Sequence, residues 1–166
     1  DVLAFEGLIF SNELFDALPV RVIEQEQGEL FEVMIGIKNN DLIEERIPLE
    51  DEMIINYLKE SGLMLQDNQR IEIPLAMDQM LQDISSILTS GFVVTVDYGY
   101  TNGEWMEAVH SEGSLRGYSK HQMVKDPLKY PGEMDLTTHI HFDRLVKKGE
   151  DFGLHFLSKQ RQDEFL

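Results

Sequence analysis

Leu8-Ile9-Phe10-Ser11-Asn12-Glu13-Leu14-Phe15-Asp16-Ala17-Leu18-Pro19 is a short apolar run that ends abruptly in polar groups. Leu8, Ile9 and Phe10 suit a strand covered on both faces, and Asn12, Glu13 and Asp16 fall where the backbone would leave a sheet. In open α/β sheets, ligands sit in the crevice outside the carboxyl ends of such strands. On local pattern alone a second reading stands level with this one: Ser11 or Asn12 caps a one-turn helix that ends before Pro19.

The rest of the chain supplies a sheet for that strand. After Pro19, β-rich runs at 21–24, 30–37 and 43–47 are separated by Gln25-Glu26-Gln27-Gly28 and Asn39-Asn40-Asp41, so residues 19–48 are expected to form an inserted antiparallel β-meander. A helix is expected over 51–61, with Gly62 as its left-handed cap. The clearest helix is predicted over 74–90, where Met77, Met80, Leu81, Ile84, Ile87 and Leu88 make one stripe and Gly91 stands at the end. Residues 92–96 then form an almost wholly apolar strand that ends in Asp97-Tyr98-Gly99. The order strand, helix, strand is that of a doubly wound α/β sheet. Residues 101–131 read as one long irregular loop, 142–150 as a helix, 154–158 as a strand, and 161 onward as a frayed end.

SNELFDALPV resembles the signature of the MidA-like family of S-adenosylmethionine-dependent protein methyltransferases, which includes a mitochondrial complex I assembly factor that methylates an arginine. Later segments resemble the same family in the same order: Val93-Val94-Thr95-Val96-Asp97-Tyr98-Gly99, then Gly113-Ser114-Leu115-Arg116-Gly117-Tyr118 with His121 and Asp126-Pro127-Leu128. Pro131-Gly132-Glu133-Met134-Asp135-Leu136-Thr137-Thr138-His139-Ile140 follows, and residues 162–166 close the series. The resemblance implies the C-terminal part of a class I, Rossmann-like methyltransferase sheet, with S-adenosylmethionine as cofactor and arginine of a protein partner as acceptor. It also implies that the glycine-rich loop and the ribose-binding acid of that class precede SNELFDALPV. Only seven residues stand before Leu8, so this chain is expected to bind the cofactor weakly and to be inactive alone, as the inside of a longer protein.

Glu13 and Asp16 are the expected catalytic pair. If the turn after Asn12 is helical, their spacing of three places both carboxylates on one face, where they can hold a guanidinium by charge-assisted hydrogen bonds. Such a clamp gains rate by orienting the acceptor nitrogen. The plainer alternative is that Asp16 caps backbone N–H groups and only Glu13 faces the cleft. Asn12 and Glu13 are the expected cofactor contacts. Asn12, Asp97, Tyr98, Arg116, His121, Asp135 and His139 are the expected substrate-binding residues, each with a plain turn or surface role as its rival.

His139 and His141 form an H-x-H pair that after a strand can offer two imidazoles to a metal, but further ligands are needed for a metal-dependent hydrolase. No metal is expected; His139 is assigned to hydrogen bonding in the site wall and His141 to the start of the next helix. The composition narrows the choice further. The 166 residues suit one domain, and a net charge of −17 disfavours nucleic acid and anionic membranes while suiting a basic or arginine-bearing protein. The lack of cysteine excludes disulfides, thiolate zinc sites and cysteine nucleophiles. No targeting segment or membrane span is visible; the resemblance implies bacterial cytoplasm or, in a eukaryote, the mitochondrial matrix. A different class of function also stands: a non-catalytic interaction module that self-associates through an exposed sheet edge near Ile9.

Overall fold

The computed structural model describes residues 4–120 and 122–165. In chain order the elements are β1 (Phe5–Asn12), β2 (Arg21–Glu26), β3 (Glu29–Lys38), β4 (Asp41–Pro48), α1 (Glu52–Ser61), β5 (Arg70–Ile73), α2 (Leu75–Ile87), β6 (Leu88–Val96) and β7 (Gly99–Tyr100). Then come α3 (Asn102–Trp105), β8 (Arg116–Ser119), β9 (Gln122–Val124), β10 (Asp135–Thr137), β11 (Ile140–His141), α4 (Phe142–Asp151) and α5 (Gln162–Phe165). No helix among the described residues is long and apolar enough to cross a membrane.

β1 and β6 pair in parallel, with Asn12 opposite Val96. One face of this pair carries Ile9 and Val93, which pack with Met77, Leu81 and Ile84 of α2. The other face is open: Leu8 is 60% exposed, Phe10 61% and Phe92 61%. The expectation of a strand covered on both faces is therefore corrected, because α2 covers one side only. The predicted glycine cap at Gly91 is also displaced. α2 ends at Ile87 and passes straight into β6, where Gly91 lies beside Gly7; a Cβ there would sit 1.8 Å from the Gly7 carbonyl oxygen.

The second layer is the antiparallel sheet β4-β3-β2-β5. β5 was not anticipated; it pairs with β2 and closes the sheet over a core of Ile23, Ile54, Tyr57, Leu58, Ile71, Ile73 and Trp105. α1 has the expected ends: Asp51 accepts from the Met53 amide at 2.9 Å, and Gly62 adopts φ 66° as a left-handed cap. The expected loop 101–131 is partly ordered. Thr101 and Glu104 form a capping box on α3, and β8 pairs with both β9 and β10. Residues 154–158, expected as a strand, pair with no strand among the described residues. The end expected to fray carries the short helix α5.

Candidate functional site

The parallel pair delivers two strand ends to one place. Ser11 Oγ donates to Thr95 Oγ1 at 3.2 Å, and the Glu13 amide donates to the Val96 carbonyl at 2.8 Å. Glu13 then adopts left-handed backbone, φ 49°, a conformation that costs a non-glycine residue about 1 kcal/mol. This kink ends β1 and turns Phe15 into the core beside α2. It also removes the helical turn on which the paired-carboxylate reading depends. Glu13 is exposed whereas Asp16 is buried, so the two do not share a helix face.

Asp97, not Asp16, caps the turn. Its Oδ2 accepts from the Phe15 amide at 3.0 Å and the Asp16 amide at 3.4 Å, while Oδ1 accepts from the amide of its neighbour Tyr98 at 2.9 Å. Burial, with the Asp16 charge nearby, pushes the Asp97 carboxyl up to about 6. Asp16 is only 2% exposed. The Tyr98 hydroxyl donates to its Oδ2, and its Oδ1 has no hydrogen-bond partner among the described residues. Burial and the bond to Asp16 push the Tyr98 phenol up to about 12, so its proton stays in place. The Asp16 carbonyl accepts from the Thr138 amide at 2.9 Å, which ties the segment after β10 to the turn.

That segment brings His139. Its ring stacks on Tyr100, centroids 4.4 Å apart and 4° from parallel, and tilts against Tyr98 at 5.3 Å. Tyr100 also meets His110 at 4.0 Å. The His139 amide donates to Ser114 Oγ at 2.8 Å, but ring Nδ1 has no partner among the described residues. Burial, reinforced by Arg116, holds His139 down at about 4, so it is a neutral imidazole at neutral pH. His141 precedes α4 and is fully buried between Tyr57 and Trp105. Among the described residues, no group of three or more His, Cys, Asp and Glu side chains could hold a metal ion. The Arg116 guanidinium lies 5.7 Å from the Tyr98 ring centroid and 5.9 Å from that of Tyr118.

Asp16, Asp97, Tyr98, Arg116 and His139 are therefore brought together. Asp135 reaches the same small sheet, opposite Tyr118, but is exposed. Asn12 and Glu13 are exposed at the end of β1, and His121 lies outside the described residues. Glu72, Tyr100 and His110 were missed. Glu72 could have been found as the single charge inside the apolar run Ile71 to Ile73. It is buried and accepts from the Ser114 amide at 2.9 Å, Ser114 Oγ at 2.8 Å and the Leu115 amide at 3.2 Å. It thus anchors the loop that leads into Arg116. Among the described residues no strand leads through a glycine-rich turn into a helix, the arrangement that cradles a nucleotide-type cofactor. The residues present fit one wall of a site and not a cofactor's seat.

An α/β chain with polar groups gathered at adjacent parallel strand ends belongs to the class of crevice-binding folds, and solved structures narrow that class. The chain matches a COG1565 superfamily member from Burkholderia thailandensis bound to S-adenosyl-homocysteine, with TM-score 0.84 and 25% identity over 92% of this chain and 40% of that one. A native crystal structure of a COG1565 superfamily protein from the same organism matches with TM-score 0.82 and 24% identity, over 90% of this chain and 40% of that one. The chain thus spans about 40% of the length of these proteins. No curated protein matches it. Residues 1–159 match the model of the family described as "Putative S-adenosyl-L-methionine-dependent methyltransferase". The chain belongs to that family, whose cofactor is S-adenosylmethionine.

Proposed function

We propose that this chain is the acceptor-binding part of a MidA-like methyltransferase, and that its acceptor is an arginine of a protein partner. The observation that carries this reading is the unpartnered Oδ1 of buried Asp16. A buried carboxylate oxygen with no donor is costly, and a guanidinium supplies both the missing N–H and the balancing charge. Asp97 beside it adds a second negative charge above about pH 6. The net charge of −17 supports a basic protein as the partner over nucleic acid or an anionic membrane. Asn12 and Glu13, exposed at the end of β1, are left to meet the edge of the cofactor. The chain by itself is inactive in this reading, because its residues do not form the cofactor's seat.

Calorimetric titration with a basic arginine peptide tests the assignment. Binding is expected, and Asp16→Asn is expected to weaken it at least tenfold, which is about 1.4 kcal/mol. Equal affinity of the variant would remove Asp16 from the acceptor site. S-adenosylmethionine in the same cell is expected to bind more weakly than micromolar, and micromolar binding would contradict the missing cofactor seat.

The open face of β1 and β6 favours a second property. Parallel strands are ordinarily covered on both faces, and a two-stranded sheet is marginal alone. Leu8, Phe10, Phe92 and Val94 form one exposed apolar face, suited to meeting the same face on a second copy in a two-fold contact. Light scattering is expected to show association that rises with concentration and is lost in Phe10→Glu. A wild-type chain that remains monomeric at high concentration would contradict it.

A further inference from the structure

In this acidic chain almost every arginine is matched to a carboxylate. Arg21 pairs with Glu32 and Asp51, and Arg46 with Glu24 and Glu26. Arg70 pairs with Glu24 and Glu44, Arg144 with Glu60 and Asp78, and Arg161 with Asp163. Arg116 has no carboxylate partner among the described residues, although the chain carries 31 acidic side chains. Its Nε is buried and without a hydrogen-bond partner among them.

The Arg116 guanidinium stands 5.7 Å from the Tyr98 ring centroid, and two further polar side chains gather around the same tyrosine. Thr137 stands directly opposite Arg116 in the antiparallel pair of β10 with β8, so both side chains leave the same face of that sheet. Among the described residues its buried Oγ1 makes no well-formed hydrogen bond, although it lies near the Tyr98 hydroxyl, and Nδ1 of His139, whose ring rests against Tyr98, has no partner. Each such group costs about 1–3 kcal/mol when left unmet, so unmet groups gathered around one side chain call for a common partner.

We propose that Arg116, His139 and Thr137 form a carboxylate-binding subsite on the ring face of Tyr98, while the hydroxyl end of the same tyrosine serves Asp16. Arginine offers Nε and a terminal nitrogen as a planar fork that matches a carboxylate at two points. Phosphate would fit the fork, but among the described residues no Lys or second Arg acts on His139 beside Arg116. His139 is neutral, and Asp16 at the Tyr98 hydroxyl and Asp97 at the Tyr98 amide repel a dianion. A monoanion is the better match. The carboxylate belongs to an acidic residue near the acceptor arginine; this choice of source rests on the Asp16 reading, whereas the subsite itself does not.

Nuclear magnetic resonance titration with sodium acetate, at ionic strength held constant with chloride, reads the subsite directly. Saturable shifts of the His139 ring in the millimolar range are expected. Arg116→Leu should abolish them while leaving the remaining spectrum folded, and Arg116→Lys should keep a weakened response. No saturable shift, an unchanged response in Arg116→Leu, or tighter binding of inorganic phosphate than of acetate would each overturn the proposal. Paired arginine peptides, one with a neighbouring glutamate and one with glutamine there, test the source. A preference of about fivefold for glutamate is expected in the wild type and none in Arg116→Leu. If acetate binds while neither peptide does, the subsite stands and the arginine-acceptor reading fails.

Discussion

Replacing His141 with phenylalanine is expected to stabilise the chain, and to do so increasingly as the pH falls. His141 is 0% exposed, with neither ring nitrogen hydrogen-bonded among the described residues. Burial, opposed by the nearby Glu72 backbone carbonyl, whose approach is too poorly aligned to count as a formed hydrogen bond, and reinforced by Arg144, holds it down from 6.5 to about 3. Below about pH 6.5 the unfolded chain gains a proton on this ring that the folded chain refuses until about pH 3. Stability is therefore lost as pH falls through that window, at about 1.4 kcal/mol per pH unit. The wild-type profile does not isolate the effect. His139 adds to it, but Asp97 and Glu72 carry raised carboxyl pKa values and act in the opposite sense. The contribution of Asp97 is present at low pH and lost as pH rises through about 6. The difference between variant and wild type is the clean measurement. In urea unfolding, the advantage of the His141→Phe variant should be about 2 kcal/mol larger at pH 5 than at pH 7. Parallel profiles would show that the buried ring is not neutral as described.

Glu72→Ala is expected to cost about 3 kcal/mol and to disable the wall of the site. The buried carboxylate accepts three hydrogen bonds from Ser114 and Leu115. Removing it leaves two backbone amides and a hydroxyl unmet at about 1 kcal/mol or more each. The fit at this point is close. Gly113 has φ +73°, and a Cβ on it would lie 2.3 Å from Glu72 Oε1, so the loop rests directly on the carboxylate. Ser114 Oγ also accepts from the His139 amide, and Arg116 follows two residues later. Losing Glu72 should therefore loosen both arms of the proposed carboxylate subsite. Glu72→Gln keeps one acceptor and should lie between. The readouts are urea unfolding and the acetate response of His139. A destabilised variant with full acetate binding would mean that the loop is held by other contacts.

What local pattern could announce, it announced. Asp51 and Gly62 bracket α1 as their capping chemistry requires, and the apolar stripe of α2 places Met77, Leu81 and Ile84 in the core. The place of Asp97 and Tyr98 just past a strand end was legible, because one apolar run leads straight into them. It was not legible where roles depend on partners far along the chain. Whether Asp16 or Asp97 caps the turn is decided by a pairing between segments about eighty residues apart. Leu8 and Phe10 show what kind of cover a strand can accept, not whether the chain provides it. Residues 154–158 have the composition of a strand, but a strand also needs an edge beside it. Glu13 has no residue type that declares a left-handed kink, so its neighbours leave a helical turn and a plain strand end equally open.

The parallel register of β1 with β6 also governs the order in which this molecule is made. Ser11 and Thr95 are 84 residues apart, and the whole antiparallel sheet lies between them. Hairpins β2-β3 and β3-β4 close short loops and can form early, whereas the β1-β6 pair must close a long one and is intrinsically slow. The bonds that Asp97 and Tyr98 make to the turn at Phe15 and Asp16 wait on that closure. During synthesis β1 emerges well before β6, so its apolar side chains stay without their partner strand while the whole antiparallel sheet between them is made.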